Sequence, residues 1–178
     1  MAEKTYEENL AEMSFKVSAV HGVNAFLWGK LQSHLGWKAS DYGGMRPFTT
    51  PQQQPEFNDM GKPYIVYNYR TGTVGGLYGF KEDYVVYQIN SVDEEDIREA
   101  INVMDLYLGA NDISAELINN FTSQTGGEPY RLFDYKSLLP RGGSGAAPSD
   151  QEGGITNGTY EVAIRYTSER VLGFIPGA

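Results

Sequence analysis

The chain of 178 residues is long enough for one core of its own, and its 40% hydrophobic content excludes a disordered polypeptide. Cysteine is absent, which excludes disulfides, thiolate nucleophiles and cysteine-ligated metals, and no apolar run approaches the roughly 20 residues that span a bilayer as a helix. A net charge of −9 excludes a protein that wraps DNA through phosphate contacts, which needs clustered Lys and Arg. Such acidity serves solubility, or it lines a channel through which DNA slides without sticking. Thirteen tyrosines and eight phenylalanines favour sheet, and 21 glycines with eight prolines set aside much of the chain for loops.

Met1 to Asn9 is polar, with Glu3, Glu7 and Glu8, and reads against a secretory signal; the expected place of synthesis is the cytoplasm. Residues 1–19 read as an N-terminal arm. Val20, Val23, Leu27, Leu31 and Leu35 then repeat at helical spacing, with Gly36 as the stop. Phe26, Trp28 and Trp37 add aromatic bulk for the core or for a neighbouring subunit. Residues 39–63 read as an extended loop that includes the run Gln52, Gln53 and Gln54, a surface arm able to order on assembly.

Tyr64 to Arg70 reads as a strand, with Tyr64, Val66 and Asn68 on one face and Ile65, Tyr67 and Tyr69 on the other. Thr71 to Gly79 reads as a glycine-rich turn, and Tyr84 to Asn90 as a second strand antiparallel to the first. Ser91 and Glu94 fit a capping box, and the acidic run Asp93 to Asp96 suits the positive end of a helix dipole. Ile97, Ala100, Ile101, Met104 and Leu108 form the buried stripe of that helix, which ends at Gly109. A shorter helix, capped near Asn111 or Asp112, turns Ile113, Leu117 and Phe121 inward. Tyr130 to Leu139 is strand-like, with Asp134 and Lys136 on a wet face. Residues 141–158 read as an extended hairpin loop. Thr159 to Arg170 alternates as a strand, Tyr160, Val162, Ile164 and Tyr166 facing one way, before a short apolar tail from Val171. No repeat or boundary divides residues 1–178, so the expectation is one α+β domain: a mixed, mainly antiparallel sheet with helices on one face and long Gly/Pro-rich loops.

Catalytic chemistry is hard to assemble from these residues. His21 and His34 are 13 apart, in neither a HxH nor a HExxH spacing. Asp93 to Asp96 lacks the spacing of a calcium loop. Gly72 to Gly79 lacks the Gly-Lys-Ser/Thr of a phosphate loop and opens no helix, and Ser144 sits in no nucleophile elbow. Tyr67, Tyr69, Arg70, Tyr78, Tyr84 and Tyr87 can be drawn as a base-stacking platform, but the RNP pattern is missing. Scattered carboxylates such as Asp83, Asp93 and Asp134 offer no base–nucleophile pair. The expectation is a non-enzyme with no catalytic, cofactor or metal residues and no cofactor.

The layout is more informative. An N-terminal helix and a Pro-rich approach lead into Lys62-Pro-Tyr-Ile-Val-Tyr-Asn-Tyr-Arg70 and Tyr84-Val-Val-Tyr-Gln-Ile-Asn90. The Ser91 to Ile101 helix start, a shorter helix, Tyr130 to Tyr135 and Tyr160 to Tyr166 complete it. Over residues 20–170 this order resembles the tail-terminator (tail-completion) proteins of long-tailed bacteriophages and their neck-protein relatives. The resemblance implies a homohexameric ring that caps the tail tube, ends its polymerisation and joins the tail to the neck. Implied partners are further copies of the chain, the tail tube protein and, in contractile tails, the sheath, with neck or connector proteins on the opposite face. Genomic DNA would pass through the bore without specific binding, and no membrane is involved. The implied location is the tail–neck junction of the virion. A head-proximal neck or connector protein, and a monomeric ligand-binding α+β module, are the alternatives.

Overall fold

The computed structural model describes residues 18–51, 61–74, 80–124, 133–148 and 154–168. Three helices, α1 (Ala19–Leu35), α2 (Glu94–Leu108) and α3 (Asp112–Gln124), accompany five strands. These are β1 (Phe48–Thr49), β2 (Tyr64–Val74), β3 (Phe80–Ser91), β4 (Asp134–Pro148) and β5 (Thr156–Thr167), in sheet order β1-β2-β3-β5-β4. Only β1 and β2 run parallel; every other pairing is antiparallel. The chain leaves β3, forms α2 and α3, returns as the edge strand β4, and inserts β5 between β4 and β3. The fold is the α+β arrangement expected.

Alternation builds the core. Along β3, Val85, Tyr87 and Ile89 point to the helices, and the register places them beside Ile65 of β2 and Val162 and Ile164 of β5. Opposite them α1 buries Val20, Val23, Leu27 and Leu31, each fully inaccessible and contributing about 2 kcal/mol. Gly36, at φ 70°, ends α1 with its N–H on the Gln32 carbonyl. Tyrosine hydroxyls fasten the layers: Tyr87 donates to Asn24 Oδ1 of α1 at 2.7 Å, Tyr135 to the Ala19 carbonyl at 2.6 Å, and Tyr160 to Asp105 Oδ1 of α2 at 3.1 Å. α2 comes so close to β5 that a Cβ on Gly158 would lie 2.7 Å from Ile97 Cγ2.

Several expectations need correction. Ala19, expected as the end of the arm, is already helical and buried, and residues 1–17 lie outside the described residues. Phe26, Trp28 and Trp37 all lie in the core of this chain. Residues 39–63 hold a 3-10 turn (Ala39–Tyr42) and β1, pinned where Tyr42 donates to the Pro63 carbonyl at 2.6 Å and the Ile65 N–H bonds the Pro47 carbonyl at 2.8 Å. Gln52 to Gln54 lie outside the described residues. Thr71 to Val74 extends β2 where a turn was expected, and residues 75–79 lie outside the description.

The cap of α2 is Asp93, whose side chain accepts from the Glu95 N–H, whereas Ser91 still pairs with Thr156 as the end of β3. The Ser91 hydroxyl accepts from the Asp93 N–H and donates to Asp96, so it shapes the turn before the helix. Val103 joins the buried stripe of α2, in which Ile101 is only partly buried. On α3 the expected inward pair is outward: Ile113 is 60% and Leu117 40% exposed, while Ser114, Ala115, Ile118 and Thr122 are buried and Phe121 is half-buried. Residues 141–158 are mostly paired strand, since β4 runs to Pro148 and β5 starts at Thr156. Glycine backbone pairs as well as any other, and positive φ at Gly142 and Gly143 accommodates the bulges there. Residues 125–132, which include Tyr130, and the tail from Glu169 lie outside the described residues.

Candidate functional site

The helices cover one face of the sheet, and register assigns Asn68, Arg70, Glu82, Tyr84, Val86, Glu161 and Arg165 to the other, together with Tyr64, Val66 and Ala163, which are buried there. Arg70 of β2 lies over the Tyr84 ring of β3 at 5.2 Å from its centroid. The Tyr84 hydroxyl bonds Glu161, and burial with that carboxylate raises its pKa while Arg70 and Arg141 oppose the shift. Arg165 Nε donates to Glu82 Oε2 at 2.8 Å. Arg70 and Arg141 thus flank Tyr84 and its Glu161, and the Arg165–Glu82 pair lies on the same face. A shallow depression of about 360 Å³ opens there, lined by Asn68, Tyr69, Arg70, Tyr84 and Val86.

The sheet edges are unequal along their length. β1 pairs only with Ile65 and Val66, so Asn68 to Val74 of β2 has no partner on that side among the described residues. On the far edge α3 covers the start of β4: Asn119 accepts from the Tyr135 N–H at 2.9 Å and donates to its carbonyl at 2.8 Å, and Leu138 N–H bonds the Asn111 carbonyl. Beyond Leu139 that cover ends, and Arg141 to Gly145 is exposed. The register sets Gly142 to Pro148 level with Val86 to Ser91, and the Asn68 to Val74 stretch of β2 level with Val86 to Phe80. The open edges thus occupy diagonally opposite corners of the sheet.

The residues weighed for chemistry are dispersed. His21 accepts from the Ser18 N–H at the start of α1, burial lowering its pKa, and exposed His34 pairs with the Tyr107 hydroxyl. Asp93 is a cap, Asp134 pairs with Lys136, and Asp83 is buried on β3 with Oδ1 accepting from Thr71 and Tyr166. Burial holds the Asp83 carboxyl above its ordinary range, and its Oδ2 has no hydrogen-bond partner. The six residues of the stacking platform separate. Tyr87 is buried, Tyr67 and Tyr69 stack on the helix side, Arg70 and Tyr84 lie on the open face, and Tyr78 is outside the described residues. Gly72 lies within β2, and Ser144 bonds Thr159 across the β4–β5 ladder. Among the described residues no group of three or more His, Asp or Glu could hold a metal, and no helix is long and apolar enough to cross a membrane.

Sequence reasoning missed the approach of Arg70 and Arg141 to Tyr84, because the three residues belong to three strands that only the fold brings together. It weighed Asp83 only as a scattered carboxylate and missed its burial, for which the period-2 spacing with Val85 and Tyr87 was the available signal. No family model, no curated protein and no solved structure matches the chain.

Proposed function

We propose that this chain is a structural component of the bacteriophage tail–neck junction, a terminator that closes as a ring, about six subunits round, on the last turn of the tail tube. In this reading it ends tube polymerisation, presents its other side to the neck, and takes no part in catalysis. Sheath is a further neighbour if the tail contracts, and DNA passes through the acidic bore without adhering.

The observation that carries the reading is the pair of edge segments, unpaired among the described residues, at opposite corners of one sheet. A strand edge with unpaired N–H and C=O groups is a template for another chain. Two such edges on one subunit, neither equivalent to the other, suit a part held between two different neighbours. Heterologous surfaces of this kind generate rings when the rotation closes. The element order on which the tail-terminator resemblance rests supports the same assignment.

The test is to add purified protein to polymerising tail tubes and image them by negative stain. The reading expects a ring at one tube end and an arrested length distribution. Tubes that lengthen unchanged in excess protein, with no density at their ends, would remove it; selective binding to isolated connector would move the chain to the neck.

A further inference from the structure

The two layers of the subunit carry opposite charge patterns. Helices α2 and α3 hold seven carboxylates against the single cation of Arg98. The other sheet face brings Arg70 and Arg141 to Tyr84 beside Glu161, with Arg165 paired to Glu82, although the chain as a whole carries −9. Each face also has apolar surface. Leu106, Ile113 and Leu117 are 66%, 60% and 40% exposed on the helix layer, with Asp112 and Glu116 alongside the last two. The depression around Tyr84 and Val86 is shallow enough to receive side chains from a helix.

Neither pattern is what solubility alone produces. An outward Ile113 and Leu117 pair, four residues apart, makes an apolar stripe along one face of α3 with carboxylates beside it. An arginine-rimmed aromatic surface is its chemical complement. Both occur on every copy, on opposite sides of the same α/β layer pair.

We propose that a second copy of this chain is the partner of both: the acidic, apolar outer stripe of α3 in one subunit packs on the Arg70–Tyr84–Arg141 face of the next. The contact is heterologous, since the helix layer of one copy meets the sheet face of another, and each copy keeps one unused surface of each kind until a ring closes. This inference rests on the ring reading and adds a helix-to-sheet contact to the edge contacts of that reading.

Charge exchange tests it. One variant carries Arg70→Glu and Arg141→Glu, the other Asp112→Lys and Glu116→Lys; all four positions are exposed, so circular dichroism should match the wild type, with the urea midpoint falling only slightly where Lys replaces the Asp112 carboxylate in the first turn of α3. Self-association is read by sedimentation velocity, and assembly on tail tubes by imaging. Each variant alone should lose association by at least about tenfold, because its helix and sheet surfaces then repel. An equimolar mixture should recover the wild-type mass distribution, since each surface then meets its complement on the other variant. Variants that assemble as well as the wild type, or a mixture that stays dissociated, would overturn this contact; in the first case rings on tubes would leave the ring reading standing. A wild type that forms no oligomer either alone or on tubes would remove both.

Discussion

Gly158 is where α2 is seated on the sheet, and a single methyl group there tests the packing. The glycine lies in β5 opposite Ile89, and it has no positive φ that would itself require glycine. Sterics alone decide. A Cβ would stand 2.7 Å from Ile97 Cγ2, 3.0 Å from Ile101 Cδ1 and 3.1 Å from the Ser144 carbonyl. Carbon atoms prefer about 3.5–4.0 Å, so α2 must retreat by about 1 Å along the row that also seats Ala100 and Met104. Overpacking of this kind costs about 1–3 kcal/mol, offset by up to about 1 kcal/mol from the glycine's lost freedom in the unfolded chain. Gly158→Ala should therefore destabilise by about 1–2 kcal/mol and lower Tm by about 2–8 °C. Ile97→Ala alone should cost about 2–5 kcal/mol through its cavity, but it removes the atom nearest the new methyl. In that background Gly158→Ala should be neutral or stabilising, a coupling of about 1–2 kcal/mol in a double-mutant cycle by urea denaturation. Equal effects of Gly158→Ala in both backgrounds would refute the seating argument.

Asp83 makes a pH prediction. Burial raises its folded-state pKa above the ordinary 3.8, so the native state favours the protonated acid. Its contribution is therefore most favourable below about 3.8 and is lost as pH rises through the interval up to the raised value. Asp83→Asn removes that dependence, and its stability relative to wild type should improve from pH 4 to pH 7, by about 1.4 kcal/mol per unit of displacement. A difference independent of pH would contradict the burial argument. Asn119→Ala deletes two bonds to the Tyr135 backbone and should cost about 1–3 kcal/mol while speeding amide exchange at Tyr135. An unchanged exchange rate would show that the side chain does not hold that edge. Ile113→Ser with Leu117→Ser should leave the unfolding free energy from urea titration within about 0.5 kcal/mol of wild type, because both side chains are outward. A loss of several kcal/mol would return them to the core.

Much of this fold was legible because periodicity and burial coincide. The stripe from Val20 to Leu31, the alternation from Tyr160 to Tyr166 and the stop at Gly36 all follow from residues with large, unambiguous side chains. The face of α3 was not legible, since Ile113, Leu117 and Phe121 outweigh Ala115 and Ile118 in hydrophobicity. Two small polar residues turn inward in their place. Ser114 accepts from the Ala110 N–H, and Thr122 donates to the Asn119 carbonyl, so each is buried with its hydroxyl bonded. The glycine-rich half of β4 escaped notice because glycine offers no side-chain alternation; its pairing is carried by backbone opposite Glu161 to Thr156. The two-residue β1 is too short for any pattern among its prolines. The open arginine face depends on strand register, which composition does not encode.

The measurement that bears most directly on the central proposal is the mass and shape of the purified protein, alone at high concentration and in the presence of tail tubes. Light scattering paired with negative-stain imaging gives both. The account predicts closed rings of about six 19.8 kDa subunits, forming free or on tube ends and halting tube growth. A 19.8 kDa monomer that neither closes on tubes nor alters their length would contradict it.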